Sequence, residues 1–196
     1  MLADVSGVRP SRFLGTSTEL GSSAEWFPDG RRVLLFYRDD RSFAVLDLQN
    51  DDVSVLFPIP DSLSVHFVAV SPDGMDLAVS STPYRVSLTD QTWTPLPRPA
   101  GLVSVGLQLL WSDDGFIYFN HERGPNAAGR SVRAQQPRVW RIPASGGPPE
   151  LYLETGLDCP YSSISMARDV KRFVCTVEER DADIWIAENF DPEVRR

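Results

Sequence analysis

An Asp-centred turn recurring every forty-odd residues, apolar runs of strand length behind each copy, and a breaker-rich composition predict an all-β fold. The arrangement they suit is a β-propeller with four blades visible. The shared aspartates are Asp29, Asp73, Asp114 and Asp169, spaced 44, 41 and 55 residues apart, against the ~40–45 residues of a four-stranded blade. Pro 16 and Gly 13 are too many for long helices and suit short strands joined by tight turns. A β-sandwich also carries short strands, but nothing in it demands the same turn at each interval.

The four copies span 23–36, 67–80, 109–120 and 164–175. In Phe27-Pro28-Asp29-Gly30 the proline presets φ at the second turn position, the aspartate binds nearby backbone, and the glycine accepts a left-handed conformation. Ser71-Pro72-Asp73-Gly74 repeats this in full, and Ser112-Asp113-Asp114-Gly115 keeps the Asp-Gly. Ala167-Arg168-Asp169-Val170 has neither Pro nor Gly. A β-branched residue is poor at positive φ, so the expectation is a last turn of different build.

Second strands are expected at 33–37, 77–79, 116–119 and 173–177, third strands at 43–48, 84–88, 138–142 and 183–187, and fourth strands at 53–57, 93–96 and 150–153. The last unit shows no fourth strand, and 9–14 reads as a closing strand that supplies it. The repeats then cover about 15–57, 58–97, 98–154 and 155–191 of a single domain or partial propeller. Sixteen strands in four sets fit a closed small ring and equally a fragment of a larger propeller, whose open ends would expose apolar faces and self-associate.

Lys+Arg 19 against Asp+Glu 27 gives a net charge of -8, which repels phosphate backbones and anionic lipid heads and argues against nucleic acid as a partner. No run approaches the ~18–20 apolar residues of a membrane helix, and the N-terminus shows no cationic start followed by an apolar stretch. As written, the chain is expected to stay in the cytoplasm, or outside it if it is a piece of an exported or anchored parent. Cys159 and Cys175 are too few for a disulfide scaffold. A hairpin turning at 168–171 sets Cys175 near Ser165 and leaves Cys159 further out, so two free thiols are expected.

The Pro-Asp-Gly hairpins, and the segment 138–150 with its Gly146-Gly147 turn, resemble the WD-like repeats of TolB-type β-propellers. The ending, 178–191, looks like the terminal blade of propellers carried behind bacterial serine/threonine kinase domains. This resemblance covers nearly the whole chain and implies a sensory or interaction domain whose kinase chemistry lies elsewhere. The sequence holds no glycine-rich loop before a strand lysine, no His-Arg-Asp and no Asp-Phe-Gly. Similar propellers also cap prolyl oligopeptidase-type hydrolases or hold a small molecule in the central channel, and those enzyme parts form the alternative. No Gly-x-Ser-x-Gly elbow is present. The expectation is a non-catalytic protein-interaction or sensing module, without catalytic residues, metal or cofactor.

One insertion stands out. From Arg123 to Arg141 there are five arginines (Arg123, Arg130, Arg133, Arg138 and Arg141) and no acid, and arginine forks bind carboxylates well. The predicted contacts for an anionic protein partner are Arg123, Arg130 and Arg133, with Arg38 and Arg41, on a rim formed by 38–41, 81–83, 121–136 and 179–183. Gly124 to Ser131 mimics a phosphate-binding loop, but Pro137 and a strand follow where a helix would be needed. His66 is expected as a hydrogen-bonded residue of an apolar strand. His121 beside Glu122 falls short of a metal site. Trp26, Trp111, Trp140 and Trp185 recur at blade spacing and are expected in the core.

Overall fold

The computed structural model describes residues 20–37, 41–80, 83–99, 109–121, 138–154 and 165–175. They build four antiparallel sheets, each a meander in chain order. The first contains β1 (Leu20–Trp26), β2 (Arg32–Tyr37), β3 (Ser42–Asp47) and β4 (Asp52–Pro58). The second contains β5 (Val68–Val70), β6 (Asp76–Val79), β7 (Tyr84–Ser87) and β8 (Trp93–Pro95). The third contains β9 (Leu109–Trp111), β10 (Phe116–His121), β11 (Arg138–Pro143) and β12 (Glu150–Glu154). A two-stranded fourth holds β13 (Ser165–Met166) and β14 (Phe173–Val174). The expected strands at 183–187 and 9–14 lie outside the described residues.

Why the second and third strands read as unbroken apolar runs is now clear. In β2, Val33, Leu34 and Leu35 are all buried, and so are Phe43 and Ala44 of β3: Leu34 and Phe43 face the second sheet, while Val33 and Leu35 cluster with Leu46 on the other face. Leu34, Phe43 and Phe57 pack with Val68, Val70, Leu77, Val79 and Val86 of the second sheet. Trp93 closes this layer, 6.4 Å from the rings of both Phe43 and Phe57. The opposite face of the second sheet is lined by Ala69 and Ala78, whose small side chains admit Trp111, Ile117, Phe119 and Ile142. β1 lies against β5 and β5 against β9, so in the first three sheets the first strand of one neighbours the first strand of the next.

Four expectations are corrected. Val170 has φ 50; the last turn is built like the others, because its hydrogen bonds hold a valine in the left-handed region. Cys175 is disulfide-bonded, and no cysteine among the described residues is free. The pairs Ser165↔Val174 and Met166↔Phe173 set Cys175 beside Ser165 as expected, but register along one hairpin does not fix which thiol a cysteine meets; Cys159 lies outside the described residues. Trp26 is 48% exposed, since it sits opposite Val33 at the flank of the face turned away from the second sheet. His66 precedes β5 in an exposed loop, with Nε2 3.1 Å from Ser64 Oγ. Trp111 is buried and Trp140 packs beside it, while Trp185 lies outside the described residues.

Candidate interaction surface

One end of the sheets carries the aspartate turns, and its chemistry repeats four times. The N–H of Gly30, Gly74, Gly115 and Val170 donates to the carbonyl of Phe27, Ser71, Ser112 and Ala167 respectively, at 2.9–3.2 Å. Each turn aspartate then accepts the N–H two residues on: Asp29 from Arg31 (2.9 Å), Asp73 from Met75 (3.0 Å), Asp114 from Phe116 (3.1 Å) and Asp169 from Lys171 (3.1 Å). Gly30, Gly74 and Gly115 have φ 64, 73 and 84, which is the conformation the glycine was expected to supply. Pro28 and Pro72 sit in the turns as predicted.

Those carboxylates are committed to backbone. The N–H groups of Arg32 and Arg31, with the Arg32 guanidinium, hold Asp29 down at about 2, and the Ser71 hydroxyl and Met75 N–H depress Asp73. Groups so thoroughly ionised are poor proton shuttles near neutral pH. The turns also touch in series. A side chain at Gly74 would lie 3.5 Å from Pro28, Arg85 bridges Asp76 (2.8 Å) to the carbonyl of Ala144 (3.4 Å), and Ser112 Oγ donates to the carbonyl of Arg168 at 2.6 Å. Burial pushes Glu25 on β1 up, and the charge of Arg168 in the fourth turn offsets part of that rise.

The opposite end carries the connections between second and third strands, where the arginine rim was predicted. Arg38, Arg123, Arg130 and Arg133 lie outside the described residues, as do 81–82, 122–137 and 179–183. Arg41 is placed: its Nη2 donates to the carbonyls of Pro60 (3.1 Å) and Leu63, and its Nε lies 3.7 Å from Asp61. It therefore clamps the connection from the first sheet to the second, a role no local pattern announces because the partners are some twenty residues away. Arg138 and Arg141, at the close of the insertion, pair with Glu154 (2.6 Å) and Glu150 (2.8 Å) across the β11–β12 ladder.

A further cluster escaped the sequence reading. Tyr118, fully buried on β10, donates to Asp114 Oδ2 at 2.6 Å, and burial together with that carboxylate pushes its hydroxyl up to about 12. Arg141 lies 4.4 Å over the Phe116 ring and 5.4 Å over Tyr152, and Tyr152 donates to the carbonyl of Val170 at 3.1 Å. Every polar group in this cluster has a partner, so it acts as a brace between the third and fourth sheets. Alternation on β10 and the cross-strand Arg141–Glu150 spacing were the only sequence signals for it.

Successive antiparallel meanders whose first strands neighbour one another define an all-β protein of the β-propeller class. No protein-family model matches the chain, and no curated protein does. Among solved structures it is similar to a putative TolB from Agrobacterium tumefaciens, with TM-score 0.53, 18% identity, and coverage of 74% of this chain and 51% of that one. TolB from Acinetobacter baumannii gives 0.53 and 16%, covering 90% and 53%. A chain of the nidogen/laminin complex gives 0.57 and 12%, covering 79% and 56%. The chain spans about half the length of these proteins. At such identities the likeness is one of fold, and at that level the TolB resemblance holds.

Proposed function

We propose that the chain is a non-catalytic protein-interaction or sensing module of the TolB/WD-like propeller type, which takes an anionic protein partner at the rim opposite the aspartate turns. Arg123, Arg130 and Arg133 are the contacts, with Arg38 beside them. Arg41 adds charge while its donors hold the 60–63 loop. The observation that supports this reading is the unbalanced insertion between β10 and β11. Its two last arginines are neutralised by glutamates of β12, which leaves the three earlier ones without an acid anywhere between Arg123 and Arg141 in a chain of net charge -8. Long connections on a rigid scaffold are where propellers of this kind carry recognition. The kinase-associated arrangement implied by 178–191 belongs to the same proposal: a sensory domain joined to an effector elsewhere in a longer polypeptide.

The test is binding of a labelled Asp/Glu-rich peptide to the wild type and to the Arg123→Ala/Arg130→Ala/Arg133→Ala variant. The expected result is a loss of at least about tenfold in affinity, worth about 1.4 kcal/mol, and a steep dependence on salt. Equal affinity for both proteins, with unchanged circular dichroism, would remove the rim arginines from the reading.

A further inference from the structure

The fourth sheet differs from the other three in what holds it together. Each of the first three contributes buried side chains to an apolar cluster, and no residue of 165–175 belongs to one. None of these eleven residues is buried; Phe173 is 37% and Val174 71% exposed. The ladder between β13 and β14 consists of two residue pairs, and a hairpin of that size with its apolar side chains in solvent is marginal in water. Its turn also holds Val170 at φ 50, which opposes folding. Against the third sheet it accepts hydrogen bonds, from Ser112 Oγ at the carbonyl of Arg168 (2.6 Å) and from the Tyr152 hydroxyl at the carbonyl of Val170 (3.1 Å).

A covalent bond stands where the apolar core is missing. Cys175 directly follows β14 and is disulfide-bonded. The chain has two cysteines, so a bond within one chain joins Cys175 to Cys159. The loop so closed runs from 159 to 175. It encloses β13, the fourth turn and β14, and no strand of the first three sheets. In the chain-entropy account, closing a loop of about 15 residues favours the folded form by about a hundredfold, and here that gain falls on the fourth sheet alone. Cys175 is half-buried, which leaves its sulfur within reach of a small thiol.

We propose that the fourth sheet is a redox-controlled latch, docked on the third sheet while Cys159 and Cys175 are joined and released by a dithiol reductant. One thiolate of the reductant attacks a sulfur of the pair, the protein's S–S bond breaks, and a mixed disulfide forms. The second thiol of the reductant then displaces the remaining cysteine. Two electrons and two protons pass to the protein, leaving two cysteine thiols and the reductant as a disulfide. Release takes away the acceptors of Ser112 and Tyr152 and so opens the outer side of the Tyr118–Arg141–Tyr152 cluster. The first three sheets keep their own apolar clusters and stay folded. The device is separate from the arginine rim.

The test is amide hydrogen exchange on the full chain, air-oxidised and after dithiothreitol, resolved to the peptides covering each sheet. Reduction is expected to speed exchange across 165–175 by about a hundredfold and to leave 32–37, 43–47, 76–79 and 116–119 unchanged, and reoxidation to restore the first state. The Cys159→Ser/Cys175→Ser variant should exchange like the reduced wild type and ignore dithiothreitol. Exchange at 165–175 that reduction leaves alone overturns the proposal, and so does acceleration spread evenly over all four sheets, since the bond would then support the whole fold. An oxidised protein whose intact mass shows two free thiols, or a disulfide-linked dimer on a non-reducing gel, overturns it as well, because Cys175 would then have no partner or one in a second copy.

Discussion

At the aspartate-turn end, β1 joins β2, β5 joins β6, β9 joins β10 and β13 joins β14 through short loops closed by the same two hydrogen bonds. At the opposite end the connections differ freely: β2 ends at Tyr37 and β3 begins at Ser42, whereas β10 ends at His121 and β11 begins at Arg138. The first end satisfies its own backbone groups from within, so its sequence is constrained at each position. The second differs in length and charge from one sheet to the next. Stability is concentrated at one end, and variation, with recognition proposed to follow it, at the other.

Substitutions should separate the two ends by size of effect. The largest is expected at Ser71, a buried residue whose Oγ donates to Asp73 (2.6 Å) and accepts from the N–H groups of Met75 (3.1 Å) and Asp76 (2.9 Å). Ser71→Ala strands the Asp76 N–H, while Met75 keeps its bond to Asp73, and should cost about 2 kcal/mol, read as a fall in the urea midpoint. Next, Arg41→Met at the other end removes the clamp on 60–63 and should cost about 1 kcal/mol, with faster proteolysis confined to 59–67. A loss as large as that at Ser71 would erase the contrast.

The fourth turn provides an effect of opposite sign. Val170→Gly relieves a β-branched side chain at φ 50 and should raise stability by about 1 kcal/mol, whereas Gly30→Val, at φ 64, should lower it by a similar amount. If both substitutions destabilise, the fourth turn is not equivalent to the first. The smallest effect is expected with pH. Asp29 falls from 3.8 to about 2 on folding, so its contribution is complete above its ordinary value and is lost as pH falls through about 2. Asp29→Asn should flatten the acid limb of the stability curve slightly, because the carboxylate is well exposed to solvent. Glu25 runs the other way: its raised value means the fold gains as acid neutralises it, and Glu25→Gln should stabilise the protein at neutral pH.

The sequence carried most of the first end and little of the second. Pro28, Asp29, Gly30, Pro72, Asp73, Gly74, Asp114 and Gly115 were legible because a turn's hydrogen bonds are local, and residue type reports them directly. Val170 misled for the same reason: propensity argued against positive φ, and the surrounding hydrogen bonds prevailed. Arg41 and Tyr118 were opaque because their partners, Pro60 and Leu63 in one case and the Arg141–Tyr152 cluster in the other, are brought near by sheet packing. Trp26 was misplaced because recurrence at blade spacing says which strand a residue occupies and not which face is covered.

Each aspartate turn is sealed by donors and acceptors lying within a handful of residues of one another. A gene segment encoding one such module brings along everything required to reverse the chain, wherever it is spliced. What must be renegotiated after a duplication or a deletion is only the oily surface on either flank. The number of modules in such an array is therefore cheap to alter.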